Sequence, residues 1–264
     1  MSRAVARPGP GPLLREWRRR RHLSQLDLAL EANVSARHLS FIETGRSRPS
    51  AGMLLHLSDR LDVPLRDRNA LLLAAGHAPV FAQRALDAPE LGPVRDALDR
   101  VLAGHAPNPA LVVDRHWGLV AANPSAELLT AGAAPHLLEP PVNVLRLSLH
   151  PEGVAPRIAN LPEWRAHLLD RLGREAVASG DPALVALREE LAGYPSPGPA
   201  VSPDLESGAI AVPLRIRHGD DELAFISTVT TFGTAVDVTV SELSIESFFP
   251  ADATTAALVR ELAR

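Results

Sequence analysis

The feature that most constrains this chain is a pair of short helical segments separated by a very tight turn. Ser24 is a good N-cap for the segment QLDLALEA, and Ser35 is a good N-cap for the segment ARHLSFIE. Only Asn33 and Val34 lie between the first segment and Ser35. Two helices joined so closely pack against each other at a steep angle. The spacing therefore predicts a helix-turn-helix.

Three further helices are predicted around this pair. Pro12 opens the first helix of the chain, Ser50 opens a fourth that runs to Leu61, and a fifth extends from Arg66 to Ala75. Residues 1–78 are thus predicted to form an all-α domain. We expect the core of the helix pair to contain the following side chains: Leu26, Ala29, Leu30, Val34, Leu39 and Ile42.

Charge is divided unevenly along the chain. The net charge is −4, yet residues 1–64 carry 11 arginines against 6 acidic residues. All 27 basic side chains are arginine, which we attribute mainly to genomic base composition. A basic segment on an otherwise acidic protein is typical of contact with a polyanion, although a solvated basic face has the same composition.

The outward face of the third helix predicts how such a contact is made. The guanidinium of Arg37 presents two coplanar N–H donors that match the two acceptors of guanine. Ala36 and Phe41 are placed to touch thymine methyl groups. Phe41 is equally compatible with partial burial. Glu43 is expected to avoid phosphate and to pair with Arg18 instead. The predicted DNA-binding residues, with Gln25 beside a phosphate, are Gln25, Ser35, Ala36, Arg37, Ser40, Phe41, Thr44, Arg46 and Arg48.

Beyond residue 78 the pattern changes from helical to mixed. Residues 79–92 are predicted to be a linker, and residues 93–264 an α+β domain. Its predicted elements are two short strands within 110–123, helices Pro162–Ala178 and Pro182–Ala192, a loop Tyr194–Gly208, strands Ala209–Arg217, Glu222–Thr231 and Ala235–Glu242, and a terminal helix from Ala253.

Several function classes are disfavoured by what the sequence lacks. It has no cysteine and no lysine, and its 10 histidines never occur at metal-ligand spacing. There is no G-x-S-x-G or H-E-x-x-H motif. We therefore expect no catalytic residues, no metal and no cofactor. Without a long apolar run or an apolar signal sequence, we expect a cytoplasmic protein that does not enter the membrane.

Two sets of motifs resemble known families. RRRRHLSQLDLALEANVSARHLSFIETGRSRPS is similar to the Xre-type, lambda-repressor-like helix-turn-helix. The segments VVDRHWGLVAAN, NVLRLSLHPEG, LPEWRAHLLDRL and STVTTFGTAVDVTVSELSIESFFPAD resemble the C-terminal domain of MmyB-like bacterial regulators. That resemblance implies a PAS-like ligand-binding fold after the helical domain, with an apolar cavity suited to a fatty acid or a similar lipid.

A curved sheet covered by helices leaves a cleft that is mostly aliphatic with a few polar anchors. The side chains predicted to bind ligand there are Leu145, Arg146, Leu147, His150, Trp164, Arg165, Leu168, Phe225, Val229 and Phe232. Two alternatives stay open. Most of the apolar residues could be ordinary core, and Arg146 and Arg165 could form ion pairs with Glu163, Asp170 or Glu175.

Together these features predict a transcription regulator that binds double-stranded DNA as a homodimer on a palindromic operator. A small apolar ligand such as a fatty acid would control it through the C-terminal domain. Two rival hypotheses remain at this stage. In the first, the second domain only dimerises or docks a protein partner, and in the second, it is an enzyme fused to DNA-binding helices.

Overall fold

The structure, a computed structural model, describes residues 9–197 and 211–263. The chain divides into two compact units. The first consists of Met1–Ala85 together with Thr234–Ser241, and the second of Leu86–Gly233 together with Glu242–Arg264. The first unit therefore includes a short segment from far along the sequence.

Five helices form most of the first unit, as the sequence predicts. They are α1 Pro10–Arg20, α2 Gln25–Glu31, α3 Ala36–Glu43, α4 Ala51–Arg60 and α5 Leu65–Ala74. The side chains of Ser24, Ser35 and Ser50 each accept a backbone N–H at the start of a helix, which confirms the three predicted caps. A single core joins the helices through Leu14, Trp17, Leu28, Leu39, Ile42, Leu57 and Leu61.

The predicted inner face of α2 was wrong in part. Leu26 and Leu30 are 59% and 71% exposed. Ala29 is buried as predicted, and Leu28 and Ala32 fill the core beside it in place of the two leucines. Apolar residues occur on both sides of α2, so periodicity alone does not identify the side that faces the core.

The second unit is built on an antiparallel sheet of five strands. These are β1 Ala110–Val113, β2 Leu119–Ala122, β3 Leu214–His218, β4 Asp221–Thr231 and β5 Ser244–Pro250, in the order β2-β1-β5-β4-β3. β3 and β4 form a hairpin in which His218 pairs with Asp221, and the turn uses Gly219 at φ +60°. Part of the predicted loop Tyr194–Gly208, and the start of the predicted strand at Ala209, lie outside the described residues.

Helices cover both faces of this sheet. The helices of the second unit are α6 Gly92–His105, α7 Glu127–Thr130, α8 Val144–Leu149, α9 Leu161–Ser179, α10 Pro182–Ala192 and, near the end of the chain, α12 Ala253–Leu262. Leu98 and Leu102 of α6 pack with Ala110 and Val112 of β1. The larger core on the other face contains side chains of α8, α9 and α10. The α+β class predicted for this domain is confirmed.

The segment predicted as a strand at Ala235–Glu242 is instead a turn and a short helix, α11 Val238–Ser241. Asp237 begins this helix by accepting the Thr239 N–H at 2.9 Å, and its other carboxylate oxygen accepts Arg84 at 2.8 Å. Val236, Val238 and Val240 imitate the alternation of a strand. Asp237 is buried, and its pairing with the distant residue Arg84 is an interaction that the alternating pattern does not indicate.

Two classes of feature are absent from the described parts of the chain. None of the described helices is long and apolar enough to cross a membrane. Within residues 9–197 and 211–263, no group of three or more His, Asp or Glu side chains is arranged to hold a metal ion.

Candidate functional site

The turn between α2 and α3 is fixed by local backbone contacts. Asn33 adopts a positive φ of 50°, and the N–H of Val34 donates to the carbonyl of Ala29 at 2.9 Å. At the start of α2, Ser24 and Asp27 form a reciprocal capping box. These contacts set the entry of α3 without help from distant residues, which explains why the helix pair can be predicted from sequence.

The predicted DNA-binding edge consists of residues at the start of α2, on α3 and just before and after α3. Leu39, Ile42 and Glu43 of α3 are buried, so these three residues mark the inner side of the helix. Ser35, Arg37, Thr44, Arg46 and Arg48 are exposed, whereas Gln25, Ala36, Ser40 and Phe41 are half-buried. No contact in the structure tests whether they bind DNA, so the assignment stays a prediction.

Two side chains on this edge are held by their neighbours. The Arg37 guanidinium lies over the Phe41 ring, 5.3 Å from its centroid. The Thr44 hydroxyl donates to the carbonyl of Ser40 at 2.7 Å. The Phe41 carbonyl accepts the backbone N–H of Arg46 at 2.8 Å, which fixes the chain leaving α3. The Phe41 ring thus supports Arg37 whether or not it touches a base.

A buried polar network anchors α3 to α1 and α2. Two guanidinium nitrogens of Arg18 donate to Glu43 at 2.7 and 2.9 Å, which confirms the predicted pair. Gln25 donates its amide N–H to the same carboxylate at 2.8 Å. Burial raises the pKa of Glu43, but the hydrogen bonds from Arg18 and Gln25 outweigh it and hold the pKa below its ordinary value. The network keeps Glu43 ionised and away from the exposed edge.

A cavity of about 450 Å³ lies inside the second unit. That volume falls within the range of small-molecule sites. Its lining is mostly aliphatic and aromatic and includes Leu111, Trp117, Leu129, Val142, Leu145, Leu147, Val154, Trp164, Leu168, Ile216 and Phe248. The cavity lies between the sheet and the helices that cover one of its faces.

The structure brings only part of the predicted ligand site together. Leu145, Leu147, Trp164 and Leu168 line the cavity. Six other predicted residues are not among its lining, namely Arg146, His150, Arg165, Phe225, Val229 and Phe232.

The polar residues among these six have partners of their own. Arg146 forms a two-bond ion pair with Glu190 at 2.7 and 2.8 Å, and Arg165 donates to the carbonyl of Ala192. The partners expected for these arginines, Glu163, Asp170 and Glu175, were therefore wrong. Both arginines bind the last turns of α10 and the residues that follow, so they hold the covering helices together.

The apolar residues outside the cavity lie in β4 or directly after it. Phe225 is fully buried and meets Phe248 edge to face. Phe232 packs against the core on the α6 side, while Val229 is 45% exposed. Phe225 therefore belongs to the ordinary core.

The sequence reasoning missed the charged side chains that line the cavity. Arg171 of α9 donates to Glu246 of β5 at 2.7 Å and to Glu175 at 3.1 Å, and its guanidinium lies 4.4 Å from the centroid of the Trp117 ring. A signal was present, because Arg171 follows Leu168 by one helical turn and Glu246 interrupts an apolar strand. Charge on a buried face is uncommon and indicates a specific partner.

The titration behaviour of this pair follows from burial. Burial raises the pKa of the Glu246 carboxyl, and the hydrogen bond from Arg171 offsets that only in part. Burial lowers the pKa of Arg171, but Glu246 and Glu175 more than compensate and raise it overall. The cavity thus combines apolar walls with one cation that already has two carboxylate neighbours.

Residues 14–67 match the helix-turn-helix family, and residues 94–262 match the MmyB-like transcription regulator ligand binding domain. The chain belongs to the MmyB-like transcription regulators. Its two parts are a helix-turn-helix and the ligand-binding domain of MmyB-like transcription regulators, as the sequence predicts.

Other comparisons add little to this assignment of the MmyB-like regulator. No curated protein matches the chain. It is similar to a solved structure described as "Structure of an RNA-binding Light-Oxygen-Voltage Receptor", with 18% identity and a TM-score of 0.28. That match covers 96% of this chain and 60% of the other, so this chain spans less than two thirds of that protein. At such a TM-score the likeness carries no structural argument.

Proposed function

We propose that this MmyB-like regulator is a cytoplasmic homodimer whose helix-turn-helix units bind two half-sites of a palindromic operator, roughly one DNA turn apart. A small apolar ligand, for which a fatty acid is the example, occupies the cavity of the second unit and controls DNA binding. The observation that carries the proposal is the largely apolar cavity of about 450 Å³ within a domain of the MmyB-like ligand-binding family.

The chain path supports control of one unit by the other. β4 and β5 contribute Ser227, Glu246 and Phe248 to the cavity wall. The residues that connect these strands, Thr234–Ser241, belong to the compact unit that contains the helix-turn-helix. A displacement of β4 or β5 by ligand would therefore reach that unit through the chain itself.

Several contacts hold this connection within the first unit. The N–H of Val238 donates to the carbonyl of Ala82 at 2.8 Å, and the Thr239 hydroxyl donates to the carbonyl of Arg84 at 2.6 Å. Arg84 also pairs with Asp237. A ligand changes DNA affinity only if it binds two arrangements of the protein unequally. The anchored connector is our candidate for the element that differs between them.

The DNA-binding half of the proposal is tested by two arginine variants. We expect Arg37→Ala to weaken binding to the selected operator by about 1–3 kcal/mol and to relax base choice at one position. Arg46→Ala should weaken all sequences alike and reduce the salt dependence of binding by about one phosphate contact. Fluorescence anisotropy with selected and random duplexes over a salt series measures both effects.

Arg260→Ala is the matched control, because Arg260 is an exposed arginine on α12 of the other unit. It should change neither affinity nor salt slope. Equal losses on selected and random DNA for Arg37→Ala would remove that residue from base recognition.

The ligand half is tested by native mass spectrometry of the purified chain. We expect a small apolar molecule bound at one per chain, and we expect Leu145→Trp to reduce its occupancy strongly, because Leu145 is buried in the cavity wall. A chain that never carries such a molecule, and takes up none from an added mixture of fatty acids, would favour the rival in which this domain only dimerises or docks a partner.

A further inference from the structure

The charged cluster at the cavity wall limits the chemistry of the ligand's polar end. Three charged residues line the cavity: Arg171, Glu246 and the exposed Glu127. Arg171 and Glu246 contact each other, and Glu246 is only 4% exposed. Arg171 also donates to Glu175, whose second oxygen accepts the indole N–H of Trp117 at 2.9 Å. One guanidinium therefore serves two carboxylates, and the cluster of three charged groups has a net charge of −1 when all are ionised.

This arrangement leaves no uncompensated cation for an anionic ligand. A ligand carboxylate placed beside Arg171 would be a third negative group around one positive group in a poorly solvated cavity. The Trp117 ring also covers one face of the Arg171 guanidinium. By contrast, Oε2 of Glu246 accepts no hydrogen bond from any described residue, and the Ser227 hydroxyl, on the neighbouring strand, also lines the cavity.

We propose that the cavity accepts an apolar ligand whose polar end is uncharged and donates a hydrogen bond to Oε2 of Glu246. This inference rests on the proposed function, since it concerns the same cavity and its apolar ligand. A long-chain alcohol meets the requirement directly. A fatty acid meets it only by binding together with one proton, which comes from the buffer and resides between the ligand carboxyl and Glu246.

The surroundings of Glu246 restrict which groups can take part in this protonation. In the sheet, Leu111 of β1 and Val229 of β4 lie opposite Glu246, and neither titrates. From α9, Arg171 and Glu175 are the charged groups that act on it, and from α7 the exposed Glu127 also lines the cavity. Burial raises the pKa of the Glu246 carboxyl, so this carboxyl takes up a proton more readily than an exposed glutamate does.

Calorimetric titration of the full chain with decanol and with decanoate, between pH 6 and 8, tests the inference. Decanol affinity should be constant over this range, because no proton is exchanged. Decanoate is ionised throughout, so its dissociation constant should rise about tenfold per pH unit. Repeating the decanoate titration in two buffers of different ionisation enthalpy should show uptake of one proton per ligand.

Glu246→Gln provides an independent test, because it removes one negative charge beside Arg171 and keeps an acceptor oxygen at the same position. Decanoate affinity should then rise at pH 8 by about tenfold or more and lose its pH dependence. Glu189→Gln, an exposed change on α10, should behave as the unaltered chain. Thermal unfolding of each variant establishes that it is folded, and the proton-uptake measurement on the unaltered chain does not depend on any variant.

The outcomes separate this inference from the proposed function. Decanoate that binds with no pH dependence and no proton uptake, more tightly than decanol, would overturn the inference and leave an apolar-ligand sensor intact. Failure of both compounds, and of longer and shorter homologues, to bind would contradict the proposed function and this inference together.

Discussion

Arg18→Ala is expected to lower the free energy of unfolding of the first unit by about 3–5 kcal/mol. The reason is the burial of Glu43, whose side chain is 1% exposed and whose ion-pair partner is Arg18. Removing Arg18 leaves a buried carboxylate with only the Gln25 amide as a side-chain partner. Hydrogen exchange of the α1 and α3 backbone amides in the full chain measures the loss within this unit.

Arg60→Ala is the matched control, because Arg60 is exposed on α4, and it should change stability by no more than about 0.5 kcal/mol. Combining Arg18→Met with Glu43→Leu should recover most of the loss, since neither buried charge then remains. A loss below about 1 kcal/mol for Arg18→Ala alone would show that the network does not anchor α3.

The same network predicts that the stability of the first unit decreases in acid. The pKa of Glu43 is lower in the folded chain than its ordinary value, so its stabilising contribution is fully present above that ordinary value. It is lost as the pH falls through the lowered folded value. Arg18→Met with Glu43→Leu should therefore unfold less steeply in acid than the unaltered chain, as measured by the midpoint of unfolding between pH 7 and pH 3.

Gly153→Ala is expected to destabilise the second unit by about 1–3 kcal/mol and to weaken ligand binding. Gly153 is buried, and a Cβ there would overlap the carbonyl oxygen of Leu147. That oxygen also accepts the N–H of Val154 at 2.9 Å. Because Leu147 and Val154 both line the cavity, the strain would displace its wall. Calorimetric unfolding and ligand titration of the full chain measure the two effects.

Gly104→Ala provides the comparison for this change. Gly104 is an exposed residue of α6, and a Cβ there meets nothing within 4 Å. Alanine should therefore stabilise the helix by up to about 1 kcal/mol and leave ligand affinity unaltered. If Gly153→Ala behaved like Gly104→Ala, the close approach at Leu147 would not constrain the cavity.

The parts of the fold that sequence predicts well are those set by neighbours along the chain. Ser24, Ser35 and Ser50 cap their helices through bonds to backbone N–H groups three residues away. The hairpin turn at Gly219 is equally local. Such contacts form wherever the local sequence allows them, so pattern and structure agree.

The remaining features depend on partners that are distant in sequence. Asp237 accepts the Thr239 N–H at the start of α11 and also pairs with Arg84, and a pattern of alternating valines does not indicate this pair. Arg146 was predicted to bind a ligand, but it pairs with Glu190 of α10. For the cavity, the sequence identified apolar residues of α8 and α9 but not Arg171 and Glu246, whose contact joins a helix to a strand.

The central claim is that occupancy of the cavity controls DNA binding. The most direct measurement compares operator affinity, at fixed salt, for the chain stripped of ligand, the chain saturated with decanol, and Leu145→Trp under both conditions. The account predicts at least about a five-fold difference between the stripped and saturated forms, and none for Leu145→Trp. Equal operator affinity of the stripped and saturated forms, with occupancy verified by mass spectrometry, would contradict it.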